Sequence, residues 1–268
     1  MNKITKSIIG VIVVVVVIWV GYSIYKNQSQ PVSTEPIKIG YIGPLTGEGA
    51  VYGETEKNVT TMAVDEINAN GGINGRKIEI IYEDGKCTGK DATTALQKLI
   101  SVDHISIVLG GTCSAESLAM VPIATQNKII LLSGFSSNPQ LTGSSPFFFR
   151  NSPKDTDVAK LDAEVIAAKY KKVAMVSENT DYSLGVRTIM KKVFDEKGVS
   201  VVSDELYNSS QSDFKTIFTK VKNSGADVLY VNPGTSARMA GVMVKQAREL
   251  GIVIPIHGNF NLVTPDAM

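Results

Sequence analysis

The sequence predicts an α/β protein of two lobes, each a parallel sheet flanked by helices, preceded by an apolar helix. Three observations lead there. Strand-like and helix-like segments alternate with little interruption from Ile37 onward, the pattern of parallel sheets covered on both faces. That rhythm changes once, between Gly134 and Asp155, where GFSSNPQLTGSSPFFFRNSPKD collects serines and turn formers before the helix at 155 and marks a boundary between lobes. Ahead of both lies an uncharged run from Ile8 to Tyr25.

That run has 18 residues, about 27 Å of helix at about 1.5 Å per residue, which matches a bilayer's hydrocarbon core. Lys3 and Lys6 precede it and Lys26 follows, so the charge bias places residues 1–7 in the cytoplasm and the body outside. Residues 8–25 read as a membrane anchor. The alternative is a cleaved signal segment, with the body secreted or periplasmic, but Gly21-Tyr22-Ser23 is a weak cleavage site. Residues 26–36 are polar and aperiodic, as a linker should be.

The first strand is expected at 37–43, where Ile37, Ile39, Tyr41 and Ile42 run into Gly43-Pro44. A helix follows at 54–70, with Val59, Met62, Ala63 and Ile67 at helical spacing and Asn70-Gly71-Gly72 as its stop. The loop between them is made of small residues and lets a ligand approach backbone. Further strands are expected at 76–83, 105–110, 128–133, 172–177, 199–206, 227–232 and 252–257. Helices are expected at 91–102, 115–126, 155–169, 183–197, 213–223 and 236–250. Phe147, Phe148 and Phe149 read as a strand crossing to the second lobe, or as plain core. The lobes are placed at 37–154 and 155–268.

Composition excludes several classes. The 268 residues are 43% hydrophobic and 20% charged with a net charge of +1, so the chain is globular and carries no concentrated basic surface for nucleic acid. Two cysteines, Cys87 and Cys113, fall in loops after predicted strands. Outside the cell they suit a disulfide, contributing about 3.5 kcal/mol in the chain-entropy model; two buried free thiols are the alternative. His104 and His257 do not stand at ligand spacing, so no metal site is expected. Gly47, Gly49 and Gly53 spell GxGxxxG rather than the dinucleotide GxGxxG, and no GxSxG elbow occurs. Neither an enzyme nor a cofactor is expected.

Several segments together, IGPLTG, AVYG, AVDEINANGGINGRKIEIIYED, ALQKLI, PIA, SSNPQLT, FFFRNSPKD, NTDYSLG, SDF and VKQARELGI, run in order from Ile37 to about Asn259. In this order and spacing the chain resembles the type I periplasmic binding proteins, on the leucine/isoleucine/valine-binding branch that serves ABC transporters. The resemblance implies two hinged lobes closing on a small polar ligand, a permease as partner, a monomeric state and a Cys87–Cys113 disulfide. It also implies that both lobes lack their last elements here: a truncated coding region, a second polypeptide supplying the remainder, or a degenerate non-functional copy.

By the same resemblance, Ser114 holds a ligand carboxylate at a helix N-terminus, its plain alternative being an N-cap. The backbone of Phe135 and the hydroxyl of Ser137 take the ligand's ammonium and carboxylate, with Ser136 beside them as a contact or as part of the turn. Tyr52 lies on the ligand side chain or packs on the first helix. Asp155 lines the cleft or caps its helix, and Tyr182 reaches the ligand from the second lobe. Ser183 replaces the usual glycine, Gly234-Thr235 an expected aromatic, and Phe260-Asn261 an expected acid. The implied function is capture of an amino acid or related carboxylate or amide for an ABC importer; a receptor ectodomain is the competing class.

Overall fold

The computed structural model describes residues 3–28, 35–47, 49–234 and 236–263. They form two compact units, residues 1–37 with 66–78 and residues 38–65 with 79–268. In the smaller unit, Lys3–Gln28 is one helix, α1. Among the described residues no helix is long and apolar enough to cross a membrane, so the anchor expected over 8–25 rests on sequence. In the same unit the Asn68 side chain clamps Ile78 from both sides, accepting its N–H at 2.7 Å and donating to its carbonyl at 2.9 Å.

Apart from Ile37 and Ile78, the residues of both sheets belong to the larger unit. Strands β1 (Ile37–Gly43), β2 (Ile78–Asp84), β3 (Ile107–Gly110), β4 (Ile130–Ser133) and β5 (Phe148–Arg150) form the first, in the order β2-β1-β3-β4-β5. Strands β6 (Lys172–Glu178), β7 (Ser200–Tyr207), β8 (Val228–Asn232) and β9 (Ile256–Gly258) form the second, ordered β7-β6-β8-β9. The helices between them are α2 (Ala50–Ala69), α3 (Gly89–Ser101), α4 (Ser114–Asn127), α5 (Asp155–Ala167), α6 (Asp181–Glu196), α7 (Lys215–Asn223) and α8 (Ala237–Glu249).

Side-chain alternation explains why the second sheet needs helices on both faces. Val173 and Met175 of β6, with Val228 and Tyr230 of β8, join α5 and α6 in one core. The intervening Ala174, Val176, Leu229 and Val231 join α7 and α8 in the other. A strand buried on both sides reads as a continuous apolar run, and VAMV and VLYV do. In the first lobe, Ile42, Val108 and Leu131 pack against Leu96 and Leu99 of α3 and Met120 of α4. Each such side chain contributes about 1.5–3 kcal/mol by burial.

Three expectations need correction. The Phe147–Phe149 segment does not cross to the second lobe. Phe148–Arg150 is the edge of the first sheet, parallel to β4 with Leu132 opposite Phe149. The helix expected at 54 begins at Ala50, where Gly53 lies so close to Pro44 that a Cβ would stand 1.9 Å from the Pro44 carbonyl oxygen. The last strand is shorter than 252–257, because Ile252 N–H donates back to Ala247 O at 3.0 Å and closes the end of α8.

Candidate functional site

The candidate residues sit at the carboxyl ends of the strands, where parallel sheets present loops and helix N-termini to a common crevice. Cys113, not Ser114, caps α4; Glu116 of its first turn accepts the Cys113 N–H at 2.9 Å. Ser114 is therefore the first helical residue. It is buried, and its hydroxyl accepts the Asn138 N–H at 3.3 Å. Lys154 caps α5, so the expected capping role of Asp155 is also not seen. Asp155 instead stands in the first turn, its N–H donating to Ser137 O at 3.1 Å.

A cleft of about 430 Å³ opens between the lobes. Tyr52, Ser114, Phe135 and Ser137 line it from the first lobe, and Asp155 and Tyr182 from the second. Ser136 does not. It is buried behind the loop, where its hydroxyl donates to Gly111 O at 2.7 Å and its N–H to Ser133 Oγ at 2.9 Å. The turn-forming alternative describes it. Its neighbour Ser137 lines the cleft.

The cleft has a polar end and an aromatic rim. Asp155 Oδ2 is buried without a hydrogen-bond partner among the described residues. Burial pushes the Asp155 carboxyl up to about 6, against the lowering effects of Ser137 and Arg150. Such a group awaits a donor. At the rim the Tyr52 and Phe135 rings stand 5.2 Å apart and Phe135 and Phe260 6.5 Å apart. Tyr182 is raised by burial, while its hydrogen bond to Asn259 opposes the shift.

Sequence reasoning missed Glu56. One turn after Tyr52 on α2, its Oε2 accepts hydrogen bonds from Thr112 and, at 3.1 Å, from Tyr41. Thr112 and Gly134 line the cleft, and a Cβ on Gly134 would meet Glu56 Oε1 at 2.9 Å. Burial raises the Glu56 carboxyl. The i, i+4 spacing from Tyr52 was the available signal. Also missed was an amide chain: Asn261 donates to Gly234 O at 2.8 Å, Asn259 to Asn232 at 3.2 Å, and Asn232 to Ser183 O at 2.9 Å. Cys87 and Cys113 are disulfide-bonded. Among the described residues there is no cluster able to hold a metal ion.

A family model described as periplasmic binding protein matches residues 36–265. An amino acid binding protein of Pseudomonas aeruginosa is 32% identical over 86% of this chain and 62% of its own length. From the same organism, a leucine-, isoleucine-, valine-, threonine- and alanine-binding protein is 27% identical, over 84% of this chain and 60% of its length. The chain thus spans about three fifths of these relatives. The solved branched-chain amino acid transporter substrate binding protein LivJ of Streptococcus pneumoniae, in complex with isoleucine, superposes with a TM-score of 0.74 at 31% identity. The match covers 83% of this chain and 64% of that one. A Rhodopseudomonas palustris solute binding protein in complex with 3,4-dihydroxy benzoic acid shares the fold, with a TM-score of 0.73 at 23% identity over 84% of this chain and 62% of that one. These relatives are binding proteins, not enzymes. Two parallel-sheet lobes, a cleft at their strand ends and these matches place the chain in the type I periplasmic binding protein family, on its leucine/isoleucine/valine-binding branch.

Proposed function

We propose that the chain captures a small amino acid, or a related carboxylate or amide, outside the cytoplasm and presents it to the permease of an ABC importer of the branched-chain amino-acid type. Residues 8–25 anchor it, residues 26–36 tether it, and the lobes divide at 154/155. The observation that carries this reading is the cleft wall, where Ser114 at the α4 N-terminus, Ser137 and the buried Asp155 carboxylate line one space.

The division of labour follows from charge. Hydroxyls and a helix N-terminus suit the ligand's carboxylate, and Asp155 suits its ammonium. Phe135 N–H is taken by Ser133 Oγ at 3.3 Å, which leaves its carbonyl as an acceptor for the same ammonium. Tyr52, Phe135 and Phe260 cover the apolar part. Ligand contacts from both lobes favour the closed form over the open one.

Isothermal titration of the purified chain against amino acids, their amides and small carboxylates tests this. One site per chain is expected for at least one of them, with a smaller radius of gyration in X-ray scattering when it is bound. A well-folded sample that binds none of these compounds overturns the reading.

A further inference from the structure

Arg150 ends β5 opposite Ser133, the last residue of β4, and so stands beside the loop that follows β4. That loop carries the cleft-lining Phe135 and Ser137 and runs into a short 3-10 turn, Pro139–Leu141. Arg150 itself does not line the cleft. Its half-buried guanidinium forks over the back of the loop, donating to Asn138 O at 3.0 Å and to Thr142 Oγ1 at 2.6 Å and reaching Ser136 O at 3.5 Å. A planar fork with fixed donor directions holds two acceptors at a set separation, which a flexible ammonium does not.

The residue so held is Asn138, which is 3% exposed and has every polar group engaged. Its N–H donates to Ser114 Oγ at 3.3 Å, its Oδ1 accepts Gln140 N–H at 2.9 Å, and its Nδ2 crosses to Asp181 O of the second lobe at 2.7 Å. Its carbonyl accepts Leu141 N–H at 3.1 Å as well as Arg150. One residue earlier, Ser137 O accepts Asp155 N–H at 3.1 Å. At successive residues the loop thus meets α5, the first turn of α4 and the second lobe.

The Arg150 charge has an effect of its own. Burial raises the Asp155 carboxyl, and Ser137 and Arg150 oppose that rise. Tyr182 of α6 and Tyr230 of β8 also face Asp155, but burial raises both hydroxyls and keeps them neutral. Lys154, which precedes it, is exposed, so solvent screens its charge.

We propose that Arg150 is a positioning residue for solute capture: from outside the cleft it sets where Ser137 and the Asn138–Asp181 link stand, and it supplies the cation beside Asp155. The inference rests on the cleft being an amino-acid site.

The full chain and its Arg150→Lys and Arg150→Gln variants test it, through stopped-flow release and calorimetry at a series of pH values. The probe is L-isoleucine, or the amino acid bound tightest in the calorimetric screen if that is another. Both variants should raise the off-rate about two- to ten-fold, the size of one net hydrogen bond, with the on-rate little changed. Lysine keeps the charge, so affinity should begin to fall at the same pH as in the unaltered chain. Glutamine removes it, so the fall should begin at a higher pH. Thr142→Val, at an exposed position, frees one arm of the fork and serves if the Arg150 variants do not fold; its off-rate should rise likewise. A lower melting temperature with an unchanged off-rate in every variant that folds overturns the inference and leaves the cleft's role intact. Identical pH profiles for Arg150→Lys and Arg150→Gln do the same. An unaltered, well-folded chain that binds no amino acid overturns both readings.

Discussion

The Tyr52 hydroxyl of α2 donates to Asn261 Oδ1 across 2.7 Å, joining residues 209 apart in the sequence and one lobe to the other. A second link runs from the Asn138 side chain to Asp181 O, also at 2.7 Å. The first sits at the aromatic rim of the cleft, where Tyr52 also meets Phe135. Tyr52 therefore both bridges the two lobes and lines the cleft.

Tyr52→Phe keeps the ring and removes the hydroxyl. A net hydrogen bond contributes about 0.5–1.5 kcal/mol, so the affinity of the bound solute should fall about two- to ten-fold, with its on-rate little changed. Stopped-flow fluorescence separates the rates. An unchanged off-rate would show that the link plays no part in holding the lobes shut.

Asp155 makes binding and stability respond oppositely to pH. Its folded value is raised to about 6, against about 3.9 in an unfolded chain. Between these values the folded state holds the extra proton, so its contribution to stability declines as pH rises from about 4 to about 6 and levels off above. Affinity for an ammonium-bearing solute should run the other way, weakening as pH falls below about 6. Asp155→Asn should flatten both profiles, read by thermal melts and titration calorimetry.

Ser114→Ala and Ser137→Ala each remove a hydroxyl from the cleft wall. Each should weaken a carboxylate solute about ten- to one-hundred-fold, since hydrogen bonds to charged groups contribute about 1.5–3 kcal/mol. Ser136→Ala is the contrasting variant. Its hydroxyl serves Gly111 O, so the loss should appear as a lower melting temperature and not in the contacts to solute.

Glu116 holds both disulfide partners by their backbones, accepting Cys87 N–H at 3.0 Å and Cys113 N–H at 2.9 Å. Burial pushes its carboxyl up to about 7. A glutamine amide has only one oxygen for these two donors, so Glu116→Gln should cost about 1–3 kcal/mol. Denaturant unfolding of the oxidised protein checks this.

Reduction of Cys87–Cys113, which are separated by 26 positions, should cost about 3.5 kcal/mol on the chain-entropy model. Urea melts with and without reductant measure it. A midpoint unmoved by reduction would contradict a stabilising role.

Much of the architecture was legible because it is local. The continuous apolar runs VAMV and VLYV, the Asn70-Gly71-Gly72 stop and the single change of rhythm near Gly134 each report on neighbours a few positions away, and the strands and helices lie close to where these signals put them. One boundary slipped where backbone bonding outside the pattern decided it, at Ile252; α5 begins at Asp155 as expected, with Lys154 and not Asp155 as its cap. Family resemblance, not periodicity, pointed to Ser114, Ser137 and Tyr182.

What the amino-acid order determined alone is the succession of elements and the apolar faces they bury, since helix and strand periods depend only on adjacent residues. Tertiary structure decided which of two adjacent serines faces the cleft, that Tyr52 finds Asn261, and that Glu56 approaches Gly134. Those outcomes depend on where distant strand ends meet. No local period encodes that meeting, because it is set by how two separately packed sheets bring their loops together.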